Sequence, residues 1–241
     1  MLHGLGYASW EAHSLRREFG EGLWSLDNRG TGHSDAFERQ CSIDQLAEDA
    51  AVAIDDLRER VIVIGHSMGG YIAQRLAQKH PDAVAGLVLM GTSPGGPRSE
   101  PVPTSTVEAW QEAAGGTAAD YARRTMPLSF RPGWTHEHRE LFEQLLAARL
   151  THPTPQSTWR AQFDACQEFL AKGIAPGSIS VPALVIHGSA DRVVPVGNGR
   201  LLAAELPVAR YYEVADAGHL VHLEEPVLVA DLIWTFTTEH T

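Results

Sequence analysis

Two periodicities alternate along this chain. Short β-branched or apolar runs are separated by stretches in which apolar residues recur every three or four positions. Val61-Ile62-Val63-Ile64 reads as a strand buried on both faces. Similar runs end near Leu2, Leu26, Met90, Ile186 and Val214. Leu46, Ala50, Ala53, Ile54 and Leu57 share one helical face, and Gly70 to Lys79 reads as a helix stopped by His80-Pro81. Strands alternating with helices predict an α/β fold: a mostly parallel sheet with helices on both faces.

The alternation breaks between Met90 and Val181. Pro94-Gly95-Gly96-Pro97 and Pro101-Val102-Pro103 open the break, and Lys172-Gly173-Ile174-Ala175-Pro176-Gly177 closes it. Helical patterns fill it at about 105–114, 117–125, 136–150 and 156–171. On the last of these, Trp159, Phe163, Cys166 and Leu170 form one apolar stripe. The expected division is a sheet-bearing core from 1–93 and 179–241, with a helical insertion over 94–178.

Candidate chemistry sits at the strand ends. Gly65-His66-Ser67-Met68-Gly69 lies between the Val61–Ile64 strand and the following helix. A serine on such a sharp turn is lifted out at the strand tip, with a helix N-terminus aimed at any developing negative charge. The backbone N–H of Met68 is then one candidate donor to an oxyanion. Asp191 follows the apolar run Val181 to Ile186, and His219 follows the run Arg210 to Val214. A serine hydroxyl needs a base, and the base needs an orienting carboxylate, so Ser67, His219 and Asp191 form the expected catalytic set. Asp216, closer to His219 in sequence, reads better as a turn residue in Asp216-Ala217-Gly218.

The order serine, aspartate, histidine, each just past a strand, resembles the α/β-hydrolase superfamily. His3-Gly4-Leu5-Gly6 resembles that family's oxyanion loop, and Asp27-Asn28-Arg29-Gly30-Thr31-Gly32-His33-Ser34 resembles its D-x-R-G-x-G-x-S turn. The resemblance implies the α/β-hydrolase fold, and it implies that the Leu5 N–H is the second oxyanion donor. It makes the insertion over 94–178 a helical cap above the site. Trp110, Met126, Phe130 and Trp134 are then candidate substrate-pocket residues, with packing inside the cap as the alternative reading.

Among family members, carboxylesterases and 3-oxoadipate enol-lactonase-like hydrolases are the nearest resemblance. The implied activity is cleavage of a carboxylic ester or lactone through an acyl-enzyme, with a small-molecule substrate and no cofactor. A C–C bond hydrolase or a proline iminopeptidase-like hydrolase is the alternative; Leu220, where C–C hydrolases often carry Trp, weakens the first. A ligand receptor of the same fold without turnover is the alternative from another class.

One departure stands out. The family's sheet usually begins with two further strands and a complete third, whereas this chain opens at Met1-Leu2-His3-Gly4. The N-terminal strands are therefore expected to be missing, and this form is expected to be shorter than a working enzyme. A two-residue remnant is expected to leave both neighbouring strands unpaired and their apolar edges exposed.

Bulk properties narrow the picture. At 241 residues, 44% hydrophobic and 20% charged, the chain fits one soluble domain with an insertion. Its net charge of -11 disfavours nucleic acid and anionic membranes as partners. The cluster Asp44, Glu48, Asp49, Asp55, Asp56 and Glu59 reads as a solvated helix face. Cys41 and Cys166 are the two cysteines, without metal spacing. His136 and His138 lack a third ligand, so no metal is expected. His66 is expected to be a packed neighbour, His3 to bond within its loop, and Arg29 to be an anchor. A cytoplasmic monomer or homodimer is the expectation.

Overall fold

The computed structural model describes residues 1–35 and 41–240. A four-stranded, all-parallel sheet runs in the order β1 (Val61–His66), β2 (Val84–Met90), β3 (Ala183–Gly188) and β4 (Ala209–Val214). The helices, in chain order, are α1 (His13–Phe19), α2 (Ile43–Asp55), α3 (Met68–Lys79), α4 (Thr104–Ala113), α5 (Ala118–Thr125), α6 (Trp134–Glu137), α7 (Arg139–Thr151), α8 (Gln156–Lys172), α9 (Val196–Glu205), α10 (Val221–Glu224) and α11 (Pro226–His240).

The sheet separates two cores. Ile43, Leu46, Ile72, Leu76 and Leu202 from α2, α3 and α9 pack with Val63, Leu87 and Val185 on one face, joined there by Phe169 of α8. Leu15 of α1 and Val229, Ile233 and Phe236 of α11 cover Ile64, Val88 and Ile186 on the other. Side chains alternate across a strand, so a sheet buried on both faces needs apolar residues at nearly every position. The runs that signalled the strands meet that need.

α2 begins at a reciprocal cap, in which Ser42 Oγ accepts the Gln45 N–H and Gln45 Oε1 accepts the Ser42 N–H. Its acidic face is not simply solvated. Asp44 pairs with Arg75 at 2.9 Å, Glu48 contacts Lys79, and Asp49 holds Arg29 through two hydrogen bonds of 2.5 and 2.7 Å. The Arg29 contact supports its reading as an anchor.

The runs ending at Leu2 and Leu26 form single bridges rather than strands. The expectation that the Met1-Leu2 remnant leaves its neighbours unpaired is corrected at that bridge. The Leu2 N–H donates to the Ile64 carbonyl at 2.7 Å, and its carbonyl accepts the His66 N–H at 3.1 Å. The Met1 carbonyl accepts the Leu26 N–H at 3.1 Å. Two residues reach both sides because adjacent carbonyls of an extended chain point in opposite directions. Apolar surface nevertheless remains beside them: a groove of about 630 Å³ runs along Leu26, Val61, Ile62 and Ile54, and Trp24 is 69% exposed.

The segment between β2 and β3 carries α4 to α8. Its two ends meet: the Gly96 N–H donates to Leu170 at 2.8 Å and the Ile174 N–H to Pro94 at 2.9 Å. The glycines that marked the break serve this junction. Gly95, Gly96 and Gly173 all have positive φ, and a Cβ on Gly173 would collide with the Gly96 backbone. The helix expected over 136–150 is divided at His138, whose φ of -116° and ψ of 43° interrupt it, giving α6 and α7.

Candidate active site

Ser67 follows β1 and precedes α3 with φ 54° and ψ -118°, a conformation that costs a non-glycine residue energy. Surrounding bonds hold it there. Its N–H donates to the Met90 carbonyl at 2.9 Å, while its carbonyl accepts from Thr92 Oγ1 and the Gly70 N–H, both at 2.8 Å. Gly65 and Gly69 admit the close approach the turn requires. A Cβ on Gly69 would strike the Leu2 carbonyl, and one on Gly65 would strike the Gly69 backbone.

Asp191 lies in the loop after β3 and is buried. Its Oδ1 accepts the N–H groups of Val193 at 2.7 Å and Val194 at 2.8 Å. Its Oδ2 faces His219 Nδ1 at 2.8 Å and His187 Nε2 at 3.2 Å. Burial alone would raise the Asp191 pKa, but His219 and His187 outweigh it, so the carboxyl stays ionised well below its ordinary range. A carboxylate only accepts, so His219 Nδ1 carries the proton and Nε2 is the basic side. Burial pushes His219 below the ordinary histidine pKa, Asp191 opposes that, and nearby His66 adds to the lowering. Asp216, the competing carboxylate, is exposed in a turn with φ 56°.

Ser67 and His219 line one cavity of about 90 Å³ together with Leu5 and Met68. Among the described residues, neither the Leu5 nor the Met68 backbone N–H donates to an acceptor. Their neighbours do: the Gly4 N–H donates to Glu11 at 3.2 Å and the Gly6 N–H to Gln162 Oε1 at 3.0 Å. The loop is therefore held on both sides of Leu5 while Leu5 itself stays free for a ligand.

The pocket expectation needs correcting. Trp110 lines the cavity, but Met126, Phe130 and Trp134 do not. These three form a separate core with Phe142, Leu146, Leu220 and Leu223, in which the Phe130 and Trp134 rings stack at 4.3 Å. They pack helices of the 94–178 insertion against Tyr7, Leu220 and Leu223 outside it. The cavity wall comes instead from Trp159, Phe163 and Leu170 of α8, with Tyr7, Tyr71 and Tyr121. Their signal was the helical stripe on α8, which one sequence cannot distinguish from an ordinary packing face. Arg149 of α7 also lines the cavity, 4.7 Å above the Tyr7 ring. A wider cleft of about 730 Å³ shares Tyr121, Arg149 and Trp159 with it.

Sequence reasoning also missed Glu11, which is fully buried behind the site. His3 is its partner at 2.9 Å rather than bonding only within its own loop, and His3 Nε2 meets Ser25 Oγ at 2.6 Å. Glu11, His66 and His222 could each offer a metal-ligand atom within 4.8 Å of one another. Glu11 and His66 already touch directly, however, which leaves no gap for an ion between them. No helix among the described residues is long and apolar enough to cross a membrane.

The sequence of residues 1–226 matches the family model for the alpha/beta hydrolase fold. A pimeloyl-[acyl-carrier protein] methyl ester esterase of Chromobacterium violaceum is 34% identical over 159 residues, 65% of this chain and 62% of that protein. A 2-hydroxy-6-oxononadienedioate/2-hydroxy-6-oxononatrienedioate hydrolase of Cupriavidus pinatubonensis is 29% identical over 93% of this chain and 81% of its own length. The 3-oxoadipate enol-lactonase 2 of Acinetobacter baylyi is 27% identical over 83% of this chain and 72% of its own. With the fold, the strained serine turn and a family match over most of its length, the chain belongs to the α/β-hydrolase family and is a hydrolase.

Proposed function

We propose that this hydrolase cleaves a carboxylic ester or lactone through an acyl-enzyme on Ser67. The observation that carries the reading is the 2.8 Å bond from His219 Nδ1 to Asp191, in a cavity that Ser67 shares with two unengaged N–H groups. His219 Nε2 takes the Ser67 proton as the oxygen attacks the acyl carbon, and returns it to the leaving alkoxide. The Leu5 and Met68 N–H groups receive the oxyanion, a contribution of about 3–4 kcal/mol per donor. A water molecule then cleaves the acyl-enzyme by the same steps in reverse order of partners. Residues 94–178 act as the cap that closes this chamber.

The substrate carries an acidic group. Arg149 is the permanently charged side chain lining the chamber, and it has no carboxylate partner among the described residues. Among the described residues, no Asp or Glu lines the cavity, so a substrate amine of the kind an iminopeptidase binds finds no counter-charge from them. The dienedioate hydrolase and the 3-oxoadipate enol-lactonase are named for substrates that carry acid groups, which fits that preference. C–C bond hydrolysis is the second reading, favoured by the length of the match to the dienedioate hydrolase.

The test is a panel of p-nitrophenyl esters, lactones and a vinylogous 1,5-diketone, measured with wild type and Ser67→Ala. Steady-state ester turnover that falls by several powers of ten in Ser67→Ala is expected, with a somewhat smaller loss in Asp191→Asn. Unchanged ester hydrolysis by Ser67→Ala would sink the assignment. Turnover confined to the diketone would favour the second reading, and binding without turnover would point to a receptor.

A further inference from the structure

Glu11 sits in the short turn Ser9–Ala12 that follows the Leu5 loop, and it is 0% exposed. An unpaired carboxylate there would be costly, so its partners must compensate the charge. One oxygen accepts the Gly4 N–H and faces His3 Nδ1. The other contacts His66 Nδ1 and lies 3.6 Å from His222 Nε2. On its far side, His66 Nε2 donates to the His219 backbone carbonyl at 3.0 Å. A carboxylate and a carbonyl both only accept, so an imidazole held between them carries two protons and a positive charge. Glu11 and His66 therefore form a buried ion pair.

We propose that Glu11 is a positioning residue, which through His66 fixes the oxyanion loop, the serine turn and the His219 loop relative to one another. This rests on the triad reading above. The pair touches each of the three segments once: Gly4 next to Leu5, His66 next to Ser67, and the His219 carbonyl. The Leu2 bridge to β1 already joins the first two, and the pair adds the His219 segment to them. Reacting groups held by separate loops lose rate steeply when their spacing drifts.

The pair also sets a charge beside the base. The His66 and His219 rings lie 4.6 Å apart. Facing His219 are Asp191 and His187 from β3 and its loop, and His66 from β1. Facing His66 are Glu11, His222 and His219, and the Asp191 charge also acts on it. Burial would neutralise His66, but Glu11 more than offsets it. His222 stays neutral, pushed down to about 3 by burial and by the charge on His66.

The experiment compares wild type, Glu11→Gln and Glu11→Asp, with rates normalised by active-site titration. In Glu11→Gln, kcat is expected to fall about 10- to 100-fold. KM should change little, because Glu11 does not line the cavity. Loss of the His66 charge should move the acid limb of kcat/KM to higher pH, and Glu11→Asp should restore it toward wild type. A normalised kcat and an acid limb both unchanged in Glu11→Gln would overturn the proposal, because a merely structural role alters only melting temperature and active fraction. Should Glu11→Gln fail to fold, nitrogen-15 NMR of wild type decides. Both His66 ring nitrogens protonated at pH 8 support the pair, and a neutral His66 overturns it. Loss of wild-type activity on dialysis against EDTA, restored by zinc, would assign the cluster to an ion and also overturn it. Hydrolysis surviving in Ser67→Ala would mark failure of the triad reading instead, and the NMR result would still report on the pair.

Discussion

At the scale of single residues, the site depends on which atoms have protons to give. Asp191 accepts two backbone N–H groups and is therefore fixed as an acceptor before His219 reaches it. That arrangement places the basic nitrogen of His219 on the side away from Asp191. The sign of the pH dependence follows. In its proposed role His219 is a base only when neutral, and burial lowers its pKa below the ordinary value. Activity should thus be flat through neutral pH, with kcat/KM falling only below about pH 6.5. A pH profile of ester hydrolysis checks this, and an acid limb well above that value would contradict it.

At the scale of elements, the helical insertion over 94–178 divides its aromatic residues between two surroundings. Phe130 and Trp134 stack in a core shared with Leu220 and Leu223, whereas Trp159 and Phe163 on α8, stacked at 5.1 Å, line the cavity that Ser67 and His219 share. Phe130→Ala should therefore cost about 3–5 kcal/mol of stability and leave chain-length preference alone. Trp159→Ala should broaden acyl preference toward longer chains with a smaller stability loss, since Trp159 is only half-buried. It also stands between the chamber and the wider cleft, so removing it joins the two volumes. Urea denaturation and an ester series of increasing chain length read the two effects separately. Equal shifts in preference from both variants would show that the division is wrong.

At the scale of the whole molecule, buried histidines couple stability to pH. His222 is fully buried, with its pKa pushed down to about 3 by burial and then by His66. The unfolded chain binds that proton from about pH 6.5 downward, and the folded chain refuses it until about pH 3. Stability should therefore fall as pH drops through that window, by up to about 1.4 kcal/mol per pH unit from this group. His222→Gln should show a shallower loss between pH 7 and pH 5 than wild type in denaturant titrations. An identical slope would remove His222 as the cause. His66 acts in the opposite sense: its raised pKa stabilises below about pH 6.5 and is lost as pH rises through the folded value.

The local sequence alone determined the elements and put forward the residues proposed to react. β1, β2, β3 and β4 are apolar runs because both faces of a parallel sheet are buried, and that signal needs no partner to be read. Ser67 was legible because its turn demands glycines within two positions, so the constraint and the residue are neighbours in the chain. Asp191 and His219 were legible by order and by their place after strands. Only the tertiary structure decided the rest. Whether a helical stripe packs or lines a chamber depends on what lies opposite, which sent Phe130 and Trp134 to a core and Trp159 and Phe163 to the site. Pairing of Met1 and Leu2 with both neighbours depends on hydrogen-bond directions across three segments. Glu11 carries no periodic or spacing signal at all. Its burial among His3, His66 and His222 arises because four separate segments converge behind one serine, and such convergence exists only in the folded chain.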